Sequence, residues 1–407
     1  MTRIHIIAPI ALIFVVAAAF TFAPGARAQS VSLEEVVRMA RDASPRARAL
    51  RARQAVTEAD VALAGVYPNP ELSYVFMGRF DGSNQAINGT QHQAWMDIPL
   101  LIVGQHDARR GAAAALATAE RAELELSLLG LEIEARRAFV ALLAAQDRLA
   151  RLEAGYAELE GLGQIIRDRA AAGAQSRYDG ARIDLELARV DTERATARAE
   201  LDATRTQLAA IVGRVGWEPE ARGTLESLRT ELPPDNELPL LEAMELRVEA
   251  AQRDVERAER ERVPEIRLGL GTYLTSDPDS ASIYAGLTVP LPIFDTGDAA
   301  VSRARAAREA AIEARGAVEH EVRARLQGRL AVLRARREAL ERFDRTTGVQ
   351  LPALAEMAEA SYRLGSSGVF ELIDSFRVRF ELEVARIELV TRIIDAEIDV
   401  LAATGAR

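Results

Sequence analysis

The sequence predicts a mainly α-helical chain with four β-strands of membrane-crossing character, laid out as two tandem copies of one unit. Three observations predict it. A heptad rhythm of apolar residues runs through helices far longer than those of globular domains. Four alternating runs, each of roughly nine to eleven residues, have the length of barrel strands. The same motifs return in the same order about 190 positions later.

At the N-terminus, Arg3 precedes an apolar run from Ile4 to Phe22, and Ala26-Arg27-Ala28 supplies the small residues of a signal-peptidase site before Gln29. Residues 1–28 therefore read as a signal peptide. The competing reading is a transmembrane anchor, since about 19 apolar residues just span a bilayer, but Pro24-Gly25 breaks the helix first. The chain has 407 residues and no cysteine, so neither a disulfide framework nor a lipid-bearing cysteine can form. Its 51 basic residues are all arginine, and a formal charge of -10 argues against a nucleic-acid partner. Beyond the leader no run of 18 apolar residues occurs, so any membrane insertion must use strands.

The first unit spans residues 29–213. Ser32 ahead of Glu34 and Glu35 marks a helix start, and a second helix is expected from about Pro45 to Ala64. Strands follow at about 71–80, where Leu72, Tyr74 and Phe76 alternate with Ser73 and Val75, and at about 91–99, the weakest of the four patterns. Pro99 and Gly104 form a joint to a helix over about 104–171. Its seam recurs every four and three residues: Leu124, Leu128, Leu131, Ala135, Ala138, Leu142, Ala145, Leu149, Leu152, Tyr156 and Leu159. After a turn at Gly173, Ala174, Gln175 and Ser176, a partner helix over about 177–212 repeats the rule with Ile183, Leu187, Val190, Arg194, Ala197, Leu201, Thr204, Leu208 and Ile211, and a helix near the C-terminus continues it with Arg377, Phe380, Val384, Ile387, Thr391, Ile394, Ile398 and Leu401. The first helix would be on the order of 100 Å long and its partner roughly half that. The shorter helix before the strands can stack end to end with the partner to make up the difference.

Residues 214–238, interrupted by Gly216, Pro219, Gly223, Pro233 and Pro234, read as a linker that joins the halves rather than forming a core. The second unit, 239–407, repeats the order: a helix at about 239–262, strands at about 265–274 and 281–291, and long helices at about 295–362 and 369–404. Pro290 and Pro292 end the strand by forbidding further ladder bonds. Asp295 or Thr296 is expected to cap the helix that follows.

Four strands cannot close a barrel, and open edges in lipid leave backbone groups unpaired at several kcal/mol each. Three chains would supply twelve strands. The competing readings are an ordinary coiled coil and four surface strands on a soluble domain. A periplasmic adaptor protein would carry one helical hairpin, whereas two are present here. An enzyme would need a site, and none is legible: only His92, His106 and His320 follow the leader, none at ligand spacing from another. No phosphate loop or nucleophile elbow occurs either. Neither metal centre nor cofactor is expected.

Val289-Pro290-Leu291-Pro292-Ile293-Phe294-Asp295, together with Tyr362-Arg363-Leu364-Gly365 and Glu371-Leu372-Ile373-Asp374, resembles the motifs of the TolC family of outer-membrane efflux channels. Here both the joint and the hairpin tip occur in duplicate, and the likeness spans the whole mature chain. The resemblance implies a homotrimer, with a twelve-stranded barrel in outer-membrane lipid continued by a helical periplasmic tunnel. It implies docking to a periplasmic adaptor and an inner-membrane pump in Gram-negative cells. The Pro-Leu-Pro form is similar to that of the branch exporting cobalt, zinc and cadmium; drug efflux and type I protein secretion are the other branches. By motif position Tyr362 matches a gate tyrosine, and Glu371 and Asp374 match an acidic ring at the periplasmic aperture. Ser367 departs from the family's best-known member, which has a gate arginine there. Each has a plainer alternative: Glu371 and Asp374 as first-turn acids at a helix N-terminus, Tyr362 as packing. The tip turns Gly173, Ala174, Gln175, Ser176 and Arg363, Leu364, Gly365, Ser366 are the expected adaptor contacts.

Overall fold

Two long helical hairpins joined at one end to a four-stranded sheet form the structure, a computed structural model that describes residues 29–79, 89–173, 175–226, 238–276 and 279–405. The expected leader 1–28, the tip residue Ala174, residues 227–237 of the linker and most of the strand tip 81–90 lie outside the described residues.

The elements run β1 (Gln29–Val31), α1 (Leu33–Arg38), α2 (Pro45–Ala64), β2 (Glu71–Arg79), β3 (Gly89–Leu100), α3 (Gln105–Ala171) and α4 (Arg177–Val212). They continue with β4 (Pro219–Ala221), α5 (Pro239–Glu261), β5 (Ile266–Ser276), β6 (Asp279–Thr288), α6 (Asp298–Arg363) and α7 (Val369–Thr404). A π-helical turn, Met39–Ala43, separates α1 from α2. α1 starts in a capping box: Ser32 Oγ accepts from the Glu35 amide at 3.3 Å, and Glu35 returns the bond to the Ser32 amide at 2.8 Å. Ser44 caps α2 through the Ala47 amide, and Pro45 occupies the first turn, where its missing N–H costs nothing.

The heptad seam is the core. Leu128, Leu131, Ala135, Ala138, Leu142, Leu149, Leu152 and Leu159 of α3 are all buried, as are Ile183, Val190, Ala197, Leu201 and Leu208 of α4 and Phe380, Ile394, Ile398 and Leu401 of α7. α3, 67 residues long, packs against α4 and α2 of its own repeat and against α5 and α7 of the other. The partner is built from two pieces set end to end. α4 ends on Gly213 in the left-handed region, where a Cβ would lie 2.1 Å from Cδ of Pro45, the first residue of α2. In the second repeat a Cβ on Gly405, also left-handed, would lie 2.6 Å from the Pro239 ring that opens α5.

The linker corrects its expected role. Pro219–Ala221 pairs in parallel with Gln29–Val31, Gln146 of α3 bonds both the amide and the carbonyl of Ala221, and Ala221 and Leu225 are buried in the main core. Arg386 of α7 then bridges Asp344 of α6 and Glu226 of the linker, both at 2.9 Å. That bond holds the Glu226 carboxyl below its ordinary pKa. Glycine and proline broke the periodicity without preventing a short strand, because a parallel partner was supplied by the start of the chain.

The sheet is antiparallel in the order β2-β3-β5-β6, so the two repeats meet at β3 and β5, with Asp97 opposite Gly269 and Trp95 opposite Gly271. Among the described residues the outer edges of β2 and β6 have no strand partner.

Candidate functional site: sheet faces, joints and hairpin tips

The register sorts the strand residues onto two unlike faces. One carries Leu72, Tyr74 and Phe76 of β2 opposite Met96, Ala94 and His92 of β3, then Leu268, Leu270 and Leu274 of β5 opposite Leu287, Ala285 and Ala281 of β6. Its large residues are exposed, Leu72 at 71% and Ile283 at 86%. The other carries Ser73, Gln91, Gln93, Asp97, Thr275 and Ser282, with Trp95, Tyr273, Tyr284 and glycines 269, 271 and 286, and its two large aliphatic residues, Val75 and Met77, lie on the edge strand β2. An apolar face beside a polar one is the alternation of a strand with lipid on one side and water on the other. Sequence reasoning missed Trp95, because β3 alternates weakly; the signal was the set of glycines that fall on its face once the strands are paired.

The joints combine expected features with one correction. Before each long helix stands a glycine in the left-handed region, Gly104 at φ 75 and Gly297 at φ 73. Only glycine adopts this conformation without strain. Gly104 was expected at the joint. Gly297 was not: α6 begins at Asp298, with Asp295 one step removed, its Oδ1 accepting the Gly297 amide at 2.9 Å. Thr296 donates to Asp298 at 2.7 Å, so neither Asp295 nor Thr296 is the cap. Pro99 is the penultimate residue of β3, opposite Arg267, one position from the expected strand end. β2 has already ended opposite Asp97 at that level, so Pro99 has a strand neighbour on one side only, where proline is tolerated. β6 stops at Thr288, ahead of Pro290 and Pro292.

Ties across the joint level link the repeats. The buried Gln105 side chain accepts from the Val103 amide and donates to the Val263 carbonyl, and Arg109 pairs with Glu261 at 2.7 Å; within the second repeat Arg262 pairs with Asp298 at 2.8 Å. His106 Nε2 lies 3.0 Å from the Gly65 carbonyl, a contact that together with Asp107 raises the imidazole pKa.

At the far end the hairpins turn on Gly173 and Gly365, both left-handed at φ 74. Ser176 caps α4 through the Asp179 amide, and Gln175 donates to the Asp179 carboxylate. Ser366 folds back on the Ser361 carbonyl, while Leu364 is 84% exposed at the apex. Glu371 is an exposed residue of the first turn of α7 whose carboxylate accepts the Gly368 amide at 3.0 Å; Asp374 pairs with Arg377. Tyr362 is buried, and among the described residues neither its hydroxyl nor that of Ser367 has a hydrogen-bond partner. Two arginines that the motifs did not single out clasp the two tips. Arg169 of α3 lies 5.0 Å from the centre of the Tyr362 ring, and Arg182 of α4 lies 4.3 Å from that of Phe370.

Comparison with known proteins gives this geometry a context. Residues 236–406 match the family model described as outer membrane efflux protein. The chain is 30% identical over 249 residues to the cobalt-zinc-cadmium resistance protein CzcC of Cupriavidus metallidurans; that alignment covers 59% of this chain and spans 57% of the relative's length. Among solved structures, CusC superposes with a TM-score of 0.75 at 14% identity over 91% of each chain. The open-state outer membrane channel MtrE of Neisseria gonorrhoeae superposes with a TM-score of 0.74 at 16% identity, over 92% of this chain and 88% of that one. The second repeat is thus matched in sequence by the outer membrane efflux protein model, and the fold is shared with these two structures over about nine-tenths of the chain.

Proposed function

We propose that the protein is the outer-membrane channel of a tripartite efflux system: a passive conduit that carries its cargo across periplasm and outer membrane and performs no catalysis. The observation that carries this reading is one sheet with an apolar and a polar face, running through paired glycine joints into helices on the order of 100 Å long. Three copies close the sheet edges that one chain leaves open, giving twelve strands in lipid, and the α3–α4 and α6–α7 hairpins continue as the periplasmic tunnel. Removal of residues 1–28 delivers the two repeats, 29–213 and 239–407, to the outer membrane.

Heavy-metal cations are the proposed cargo, supported by the likeness to CzcC and by the Pro-Leu-Pro joint. At the tip, Tyr362 closes the aperture, Glu371 and Asp374 line it, and the turns around Gly173 and Gly365 meet the adaptor, which couples the conduit to an inner-membrane pump. The capping bond of Glu371 is compatible with that role, since one carboxylate oxygen remains free to face the axis.

Membrane fractionation with gel mobility before and after heating tests the channel: trimers in the outer-membrane fraction are expected, and a soluble monomer would refute it. Deletion of the gene tests the cargo, with loss of zinc, cobalt or cadmium tolerance expected and unchanged tolerance removing the assignment.

A further inference from the structure

We propose that Trp95 is a specificity-determining residue of the barrel, its indole held against the inner wall by a glycine cradle that sets the free bore. The proposal rests on the channel reading above. Tryptophan in membrane proteins usually sits in the lipid interface, yet Trp95 lies on the polar face, with Gln91, Gln93 and Asp97 of its own strand. The facing positions explain how it fits. A Cβ on Gly269 would lie 1.7 Å from Cζ2 of the indole, one on Gly271 2.6 Å from Cε3, and one on Gly286 3.0 Å from Cη2. These glycines belong to the two neighbouring strands β5 and β6, so the ring lies across the sheet rather than standing off it. Tyr284 stacks on it at 4.8 Å between centroids with planes 18° apart, and Gln93 donates to the Tyr284 hydroxyl, which fixes the pair.

The consequence is geometric. Twelve strands about 4.8 Å apart, tilted about 40°, give a circumference of about 75 Å and a backbone radius of about 12 Å. An indole lying flat takes about 4 Å of that radius, one contact distance. An indole standing upright takes about 7 Å, the reach of its bonds. Raising the ring from flat to upright narrows the clear radius by about 3 Å at that level in each of the three copies. The glycines therefore keep an aromatic wall wide open, and any side chain at 269 raises the ring into the path.

The chain has two tryptophans, so Trp217→Phe leaves Trp95 as the sole fluorophore. In reconstituted trimers of that variant, acrylamide is expected to quench Trp95 and brominated lipid is not. Adding Gly269→Ala should redden the emission and raise the acrylamide quenching constant, because the ring is lifted from its glycine cradle into water. Potassium chloride current through the Gly269→Ala channel should fall, and Trp95→Ala in the same chain should restore it. Gly286→Ala, with its milder 3.0 Å approach, serves where Gly269→Ala fails to assemble. Quenching by lipid rather than acrylamide, or conducting channels whose emission and current ignore both glycine substitutions, would overturn the proposal. Absence of trimers and of any current would instead refute the channel reading, and this one with it.

Discussion

Gly155 of α3 is buried against α7, where a Cβ would lie 2.9 Å from two ring carbons of Phe380 and 3.6 Å from Phe376. On an isolated helix Gly155→Ala would stabilise by about 1 kcal/mol, the difference in helix propensity. In this contact the new methyl must displace a ring that is only 5% exposed, and forcing a carbon into a packed core costs about 1–3 kcal/mol. The net expectation is a loss of about 0–2 kcal/mol. Phe380→Ala alone should cost about 3–5 kcal/mol. In that background the obstruction is gone, so adding Gly155→Ala should return about 1 kcal/mol. The sign of the Gly155 effect thus reverses with the residue at 380, a coupling of about 1–3 kcal/mol. Guanidinium unfolding of the detergent-solubilised protein, followed by far-ultraviolet circular dichroism, reads it as shifts in midpoint. If Gly155→Ala stabilises equally in both backgrounds, α3 and α7 do not meet through these two residues and the packing of the two repeats on each other is wrong.

Gly213→Ala and Gly405→Ala should each destabilise by about 1–2 kcal/mol from the left-handed backbone alone, and by more from the clash with the proline rings. Gly173→Ala at the open tip should show only the backbone part, a comparison made by the same unfolding midpoints. Asp395 has its carboxyl pKa raised, first by burial and then by Asp399, against the lowering effect of Arg137. A folded-state pKa above the unfolded one penalises the ionised form at neutral pH, so Asp395→Asn should raise the melting temperature at pH 7. That advantage should fade as the pH falls through the folded pKa towards the ordinary value of 3.8, checked by melts across pH 3–7. Glu371→Gln with Asp374→Asn should reduce the cation preference of the reconstituted channel, seen as a reversal potential nearer zero in a potassium chloride gradient; an unchanged potential would leave these acids to capping alone.

The long helices were legible because a seam of apolar residues repeats through them; the structure buries most of its large apolar members, while Tyr156, Arg194, Thr204, Arg377 and Thr391, picked by the same spacing, stay partly exposed. Strand existence was legible from alternation, but the pairing of β3 with β5 was not, since it joins strands of different repeats. Nor were other contacts that join elements distant in the chain. Arg169 reaches Tyr362, and Arg182 reaches Phe370, across two different hairpins, and an arginine in an arginine-rich chain carries no local mark of its partner. Pro219–Ala221 resembled a plain linker because its strand partner lies at the other end of the repeat. Gly297 was overshadowed by Asp295 and Thr296, better capping residues by type, because the backbone needed a left-handed residue at that step more than it needed a side-chain acceptor.

The abutment of Gly213 on Pro45, and of Gly405 on Pro239, has a consequence for winding. A straight helix drifts about 20° per heptad from a strict seven-residue repeat, so over the 67 residues of α3 the seam would turn by roughly half a revolution. One unbroken partner would have to coil around α3 through that whole angle. Two pieces, 36 and 20 residues long, each begin in their own phase and discharge the accumulated twist at the break. The glycine and the proline act as a swivel coupling, which lets helices of this length stand nearly straight and side by side.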